Sequence, residues 1–236
     1  MTSSRRNRYS GGMPDRLKGK RALVTQCSAF MGPALVELFE REGARVVADD
    51  RDLKPDGACE GAIAAGGELD VLVANLAHPP VAAAVEQIRD GDWHALFDAL
   101  VHPLMRLVRA AAPAMIARRR GKIVVMGSAA PLRGIARNGA YCAARGAQNA
   151  FVRAVGLELA PHGVQLNAVA QNYVKNSAYY PDALLKTERF TQHLERNVPA
   201  GRVAEGWESA ELALFLASDK SDFLCAQVIP FAGGWA

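Results

Sequence analysis

Short apolar runs alternate along the chain with segments in which apolar residues recur at helical spacing. The helical spacing predicts helices at Phe30–Glu42, Trp93–Arg120, Tyr141–Leu159 and Glu208–Ala217. The apolar runs predict buried strands at Arg21–Thr25, Arg45–Ala48, Asp70–Ala74, Lys122–Met126, Val164–Ala170 and Gln227–Phe231. Alternation of this kind is typical of βαβ units. We therefore predict one doubly wound, Rossmann-like α/β domain whose single parallel sheet has helices on both faces.

Two stretches carry a weaker pattern. The segment between the second and third predicted strands has about twenty residues of mainly glycine, alanine and acidic side chains, which leaves room for one helix but not for a further strand. Residues Gln171–Phe190, after the fifth strand, are polar and aromatic without a clear period. Neither stretch resembles a linker, so the pattern favours one folded domain.

Charge is distributed unevenly along the chain. The protein has 236 residues and a net charge of +4, but residues 1–20 alone carry +5 and the remaining 216 residues carry −1. The basicity therefore belongs to the amino-terminal segment. We predict a flexible basic leader at residues 1–16 and a catalytic domain at residues 17–236, and we expect no nucleic-acid partner. The leader could be a disordered extension, a transit-like segment or a stretch before a later start at Met13.

Composition excludes several broad classes of protein. Half of the residues are hydrophobic and 22% are charged, as in ordinary globular proteins, so we expect neither a disordered chain nor a membrane partner. The cysteines are far apart in the sequence, at Cys27, Cys59, Cys142 and Cys225. This spacing favours reduced thiols in a cytoplasmic protein over disulfides or a metal site.

The strongest candidate chemistry involves three residues. Ser128 follows a predicted strand, Tyr141 comes thirteen positions later, and Arg145 lies four further on. The carboxyl ends of parallel strands form the ligand crevice in such folds, and residues four apart share one face of a helix. A nearby arginine lowers the pKa of a phenol, which is ordinarily near 10. Tyr141 could thus accept a proton from a substrate hydroxyl while Ser128 binds the same oxygen.

From Arg21 onward the chain resembles the short-chain dehydrogenase/reductase superfamily, whose serine and Tyr-x-x-x-Lys signature is present with Arg145 in the lysine position. The superfamily's first turn, T-G-x-x-x-G-x-G, matches residues 25–32, where only the last glycine is kept. The missing glycines would let the backbone approach a pyrophosphate, and Gln26 and Phe30 place side chains there instead. These replacements argue against a dinucleotide cofactor.

Other superfamily motifs change in the same direction. The N-N-A-G motif is Asn-Leu-Ala-His at residues 75–78, and Leu100 takes the position of the relay asparagine. The P-G-x-x-x-T motif that holds a nicotinamide is Gln-Asn-Tyr-Val-Lys-Asn at residues 171–176. Asp49 and Asp50 end the second strand, where a ribose-binding acid is expected. Without the glycine turn, we interpret them as surface or capping residues.

This combination resembles the halohydrin dehalogenases, and most closely their B-type, through GSAA after the serine strand, VHPL in the preceding helix, the QN turn and the FLASDxSDF run. The resemblance implies reversible conversion of vicinal haloalcohols to epoxides and halide, with epoxide opening by azide, cyanide or nitrite. It implies no cofactor, no metal and a homotetramer. Ser128, Tyr141 and Arg145 would be catalytic. The halide would lie against Gln171, Asn172, Tyr173, Val174 and Phe30, and Tyr179 and Tyr180 would complete a substrate pocket with Phe30 and Tyr173.

Two other functions remain open from the sequence. One is an NAD(P)H-dependent reductase in which Arg145 replaces the usual lysine. The other is a reductase-like scaffold without catalysis that senses a ligand or binds a protein. The sequence also leaves open whether Trp235, next to the last residue, reaches the pocket of a neighbouring subunit.

Overall fold

One parallel sheet forms the centre of the molecule in a computed structural model, which describes residues 15–177 and 179–236. The strand order is β2-β1-β3-β4-β5-β6, and every neighbouring pair is parallel. The strands are β1 Arg21–Thr25, β2 Arg45–Asp49, β3 Val71–Asn75, β4 Gly121–Ser128, β5 Val164–Gln171 and β6 Val228–Phe231. The predicted α/β architecture is therefore confirmed, and the strands begin and end within one or two residues of the predicted positions.

Helices cover both faces of the sheet. They are α1 Gly32–Arg41, α2 Ala58–Gly66, α3 Asp90–Leu100, α4 His102–Ala117, α5 Ala130–Arg133, α6 Gly139–Leu159, α7 Asp182–Leu185, α8 Glu188–Asn197 and α9 Gly206–Ala217. One core cluster joins the sheet to α2, α3, α4 and α6, and a second joins it to α1 and α9. Between β2 and β3 the chain forms the single helix α2, as predicted.

The helix predicted at Trp93–Arg120 is two helices, because the chain breaks at Val101 between α3 and α4. Pro103 has no backbone N–H to donate to the carbonyl of Ala99, and its ring crowds that carbonyl, so the first helix stops at Leu100 and a second begins at His102. Residues Asp90–Ala117 have the length and mean hydropathy, 1.2, of a membrane-spanning segment. Their apolar side chains, including Leu104 and Leu107, instead pack in the core under the sheet.

Near the start of the described residues, Arg16 contacts two glutamates of the domain. Arg16 forms ion pairs of 2.9 Å with Glu42 and 2.8 Å with Glu211 of α9. Arg16 is thus held against the domain, although we placed it in the leader from the sequence. The rest of the predicted leader, residues 1–14, lies outside the described residues.

Candidate active site

A cavity of about 250 Å³ opens where β4 and β5 end. The two strands reach this edge in register, with Ser128 opposite Gln171. Seven of the residues predicted from the sequence line the cavity together with Tyr141, namely Phe30, Ser128, Gln171, Asn172, Val174, Tyr179 and Tyr180. Its other walls include Pro80, Ile135 and Asn138, which the sequence did not indicate. One small cavity therefore collects most of the predicted site.

Ser128 is the last residue of β4 and is 5% exposed. Its Oγ accepts a hydrogen bond of 3.1 Å from the backbone N–H of Ala130, at the start of α5. Because that contact uses a lone pair of the hydroxyl, the hydroxyl proton can be donated to a ligand oxygen in the cavity. This is the role that the sequence analysis predicts for Ser128.

Tyr141 and Arg145 lie one turn apart on α6, as their spacing predicts. Nε of Arg145 donates a hydrogen bond of 3.1 Å to the hydroxyl of Tyr141. Nη1 donates to the carbonyl of Met126 at 3.2 Å and to Oε1 of Gln148 at 2.9 Å, and Nη2 donates to the hydroxyl of Tyr179 at 3.1 Å. The guanidinium thus contacts two phenols at the edge of the cavity.

Arg145 is a fully buried cation, with 0% of its surface exposed. Among the described residues its hydrogen bonds all go to uncharged oxygens, and the ion pairs found there do not include it. Burial opposes the charge, but the phenols of Tyr141 and Tyr179 outweigh it and hold the pKa of the guanidinium above its ordinary value. A buried charge without a counter-ion is costly, so the site favours a negative charge next to Arg145.

The turn after β5, which we predicted to bind halide through backbone amides, is partly engaged in hydrogen bonds of its own. The N–H of Asn172 donates to the carbonyl of Phe231 at 3.0 Å, so it is unavailable to a halide. The side chain of Gln171 points to Ser209, whose Oγ donates to Oε1 at 2.6 Å. The N–H of Asn172 is thus removed from the predicted amide set, and the Gln171 side chain is engaged by Ser209.

Two donors converge on one oxygen in this turn. Oδ1 of Asn172 accepts hydrogen bonds from the N–H of Tyr173 at 2.9 Å and from the hydroxyl of Tyr180 at 2.5 Å. Tyr173 has a positive φ of 52°, which turns successive N–H groups toward one side and forms a concavity suited to an anion. The Asn172 carboxamide oxygen therefore accepts hydrogen bonds from two donors of the kind that bind a small anion.

The ring of Tyr173 packs away from the cavity. It lies edge-on to Trp235, with ring centroids 5.9 Å apart, and its hydroxyl is 2.9 Å from Nε2 of His193. Trp235 is 9% exposed and lies under the guanidinium of Arg133, which also donates to its carbonyl at 3.1 Å. Tyr173 is therefore not among the residues that line the cavity, contrary to our prediction, and Trp235 is packed within its own chain.

Tyr179 and Tyr180 both lie in the cavity wall but differ in their partners. The Tyr179 hydroxyl donates to the carbonyl of His78 at 2.9 Å and accepts from the N–H of His78 at 3.1 Å. Its ring lies 5.3 Å from that of Phe30. Burial raises the pKa of Tyr179 to about 12 and raises that of Tyr180 further. Both hydroxyls therefore keep their protons at neutral pH.

The turn between β1 and α1 does not fit a dinucleotide. The side chain of Gln26 crosses to the loop after β3, where Oε1 accepts a hydrogen bond of 2.9 Å from the N–H of Ala77. Phe30 is 9% exposed and points to the site, with its ring 5.9 Å from the Arg145 guanidinium. The retained Gly32 is required because a Cβ there would clash with the carbonyls of Gln26 and Cys27. Side chains therefore fill the space that the superfamily's glycines leave open.

The acidic residues at the end of β2 make local contacts: Asp50 is exposed, as expected of a surface residue, whereas Asp49 is buried. Asp49 forms an ion pair of 2.7 Å with Arg51, and Asp50 accepts a hydrogen bond of 2.9 Å from the N–H of Ser28. That hydrogen bond lowers the pKa of Asp50. Both carboxylates are thus engaged in local contacts.

Gln148 is a polar residue of the site that we did not predict. It is 0% exposed, accepts from Arg145 and donates 2.7 Å to the carbonyl of Leu100. Its position three residues after Arg145, on the buried face of the same helix, is a signal that the sequence does contain. The contact between Arg145 and Tyr179 spans 34 positions and has no such local signal.

Comparison with known proteins places the chain among reductases and dehydrogenases. The family model described as Enoyl-(Acyl carrier protein) reductase matches residues 47–236. Sorbitol dehydrogenase of Cereibacter sphaeroides is 32% identical over 93% of this chain and 98% of its own length. L-xylulose reductase of Bos taurus is 29% identical over 93% of this chain and 98% of its own length.

Solved structures add dehalogenases to the similar proteins. A structure described as "Dehalogenation enzyme" aligns with a TM-score of 0.87 and 32% identity over 93% of this chain and 99% of its own. Halohydrin dehalogenase bound to ethyl (2S)-oxiran-2-ylacetate aligns with a TM-score of 0.82 and 26% identity over 90% and 96%. A gluconate 5-dehydrogenase from Burkholderia cenocepacia J2315, in complex with NADP and tartrate, aligns with a TM-score of 0.85 and 28% identity over 94% of this chain and 97% of its own.

Proposed function

The chain belongs to the short-chain dehydrogenase/reductase superfamily, and we propose that it is a cofactor-independent halohydrin dehalogenase, a lyase acting on carbon–halide bonds. Its substrates are small vicinal haloalcohols, which it converts to epoxides and halide. In the reverse direction it opens epoxides with small anions such as azide, cyanide or nitrite. The resemblance to the family also leads us to propose a cytoplasmic homotetramer.

One observation carries this proposal. Arg145 is fully buried behind Tyr141, which lines the cavity, and the side chains of Gln26 and Phe30 occupy the turn between β1 and α1. A reductase needs that turn open for its dinucleotide. A dehalogenase needs a phenolate base and a place for an anion, and an uncompensated buried cation stabilises both.

The proton transfer uses Tyr141 and Ser128. Tyr141, as the phenolate held by Nε of Arg145, accepts the proton of the substrate hydroxyl. Ser128 donates its hydroxyl proton to the same substrate oxygen, because Ala130 already fixes its Oγ from the other side. The two residues thus bind and deprotonate one oxygen atom.

The substitution follows within the substrate. The emerging alkoxide attacks the neighbouring carbon, the new C–O bond closes the epoxide, and the carbon–halogen electron pair leaves with the halide. A halide needs no general acid because it is stable as an anion. The Tyr173 N–H and the Tyr180 hydroxyl supply its hydrogen bonds when the Asn172 side chain turns aside.

An NAD(P)H-dependent reductase is the second candidate, favoured by the dehydrogenases among the relatives. Protein fluorescence titrated with NADH and NADPH separates the two functions. We expect no saturable quenching at micromolar cofactor, whereas tight binding of either nucleotide would favour the reductase.

The direct test is halide release from 1,3-dichloro-2-propanol in the absence of any nicotinamide. We expect release by the wild-type protein and none by Tyr141→Phe, which keeps the ring and removes only the proton-accepting oxygen. Equal release by the two proteins would contradict the proposal. A wild-type protein inactive toward several small haloalcohols would contradict it as well.

A further inference from the structure

Arg145 is shared between two phenols, and only one of them is placed to act as the base. The guanidinium donates to Tyr141 through Nε and to Tyr179 through Nη2, each at 3.1 Å. The two rings lie with centroids 6.3 Å apart. The same cation could therefore stabilise a phenolate on either residue, and the contacts of Tyr179 decide between them.

The Tyr179 hydroxyl has its hydrogen-bonding capacity filled by the protein. It donates its proton to the carbonyl of His78 and accepts from the His78 N–H and from Arg145. One donation and two acceptances are all that a phenol can make. Tyr179 therefore has neither a proton for the substrate nor a lone pair for the substrate's proton.

Loss of the Tyr179 proton would be unfavourable in this place. An ionised Tyr179 would lose its donation to the His78 carbonyl and would bring that carbonyl against a negative charge. The hydroxyl is also buried, and burial raises its pKa to about 12. Tyr179 consequently remains a neutral acceptor.

Tyr179 also fixes the orientation of the guanidinium. Nη1 of Arg145 is held from β4 and α6, by Met126 and Gln148, whereas Nη2 is held by Tyr179 alone among the described residues. A planar guanidinium anchored at both outer nitrogens has one orientation in its plane. That orientation directs Nε at the Tyr141 oxygen.

We propose that Tyr179 is a positioning residue that anchors Nη2 of Arg145 to the loop after β3 and so directs the buried charge to Tyr141. This role rests on the proposed function in so far as Tyr141 is the base. The role itself concerns where the phenolate forms, which can be measured without any substrate.

The test is an NMR titration of the protein labelled with ¹³C at Cζ of its five tyrosines. Single Tyr→Phe variants assign the resonances of Tyr141, Tyr179 and Tyr180. In the wild type we expect the Tyr141 resonance to titrate at the lowest pH and that of Tyr179 to show only a small secondary shift at the same step. Tyr179 titrating first, or together with Tyr141, would overturn the proposal.

Tyr179→Phe keeps the ring and removes the anchor. We expect the Tyr141 titration to move up by about one pH unit, a tenfold change, because the guanidinium loses the anchor that directs Nε at the Tyr141 oxygen. Tyr180→Phe is the matched control, since its hydroxyl contacts Asn172 rather than Arg145, and it should leave the Tyr141 step in place. Circular dichroism checks that both variants are folded. An unmoved step in Tyr179→Phe, or equal movement in both variants, would contradict the role.

Activity provides a second readout. In Tyr179→Phe we expect kcat for halide release to fall about tenfold near neutral pH, with KM within about twofold and with recovery at higher pH. A larger effect on KM than on kcat would indicate that Tyr179 only shapes the cavity. If no haloalcohol is turned over but the NMR titration behaves as expected, the proposed function fails and the positioning role stands.

Discussion

Replacing Arg145 is the perturbation whose effect the structure defines best. Nε lies 3.1 Å from the Tyr141 oxygen. With the guanidinium's charge centre about 4 Å from that oxygen and an effective dielectric constant of about 20, the attraction to a phenolate is about 4 kcal/mol. An energy of about 4 kcal/mol corresponds to about a thousandfold in rate or population.

Arg145→Met removes the charge and keeps much of the apolar stem. We expect kcat for halide release near neutral pH to fall about a thousandfold and to recover as the pH is raised, because hydroxide then forms the phenolate without help. Arg145→Lys keeps the charge but cannot reach all of the same acceptors, so it should retain part of the activity with a shifted pH profile.

The assay is a pH–rate profile of chloride release for the three proteins, with circular dichroism to confirm the fold of each. If kcat of Arg145→Met at neutral pH lies within tenfold of the wild-type value, the electrostatic role of Arg145 is refuted. An Arg145→Lys variant with unchanged rate and unchanged pH optimum would also show that the role is misassigned.

Three further predictions concern stability and binding. Arg16 lowers the pKa of Glu42 below its ordinary value of 4.5, so the pair stabilises the fold above that value and loses its effect as the pH falls through the lower folded-state pKa. Arg16→Gln should therefore cost about 1 kcal/mol in urea unfolding at neutral pH, and the difference from wild type should vanish in acid; an equal deficit at both pH values would be inconsistent with the ion pair. Gly156→Ala should lower the melting temperature, because a Cβ there would lie 2.7 Å from Cα of Ala226. Such overpacking costs about 1–3 kcal/mol, more than the roughly 1 kcal/mol gained in helix propensity. A higher melting temperature in thermal scans would show that the loop containing Ala226 moves to make room. Ser128→Ala should lower kcat/KM for halide release about a hundredfold while halide inhibition stays within twofold, and weakened halide inhibition would indicate a different role.

The sheet could be predicted because its central strands β3, β4 and β5 are buried along their whole length. Apolar residues predominate in these strands, although β5 includes Gln165 and Asn167, and buried runs of this kind indicate a parallel sheet. The break between α3 and α4 was missed. Apolar periodicity continues through Val101, and only the missing N–H of Pro103 interrupts the helix.

The candidate site could be predicted where it depends on local spacing. Tyr141 and Arg145 share a helix, so their contact follows from a spacing of four positions. The contacts that refine the site are long-range. The Asn172 N–H bonds to β6, and Tyr179 reaches both His78 and Arg145. These depend on how strands and loops meet in space, which a periodic pattern does not contain.

The mass balance of the reaction is the most direct test of whether the protein converts haloalcohols to epoxide and halide without a nicotinamide. Purified protein is incubated with a small vicinal haloalcohol and no nicotinamide, and halide and epoxide are both quantified over time. We expect one epoxide and one halide for each haloalcohol consumed, and neither product with Tyr141→Phe. A ketone or aldehyde formed only when NAD(P) is supplied, with no halide released, would contradict it.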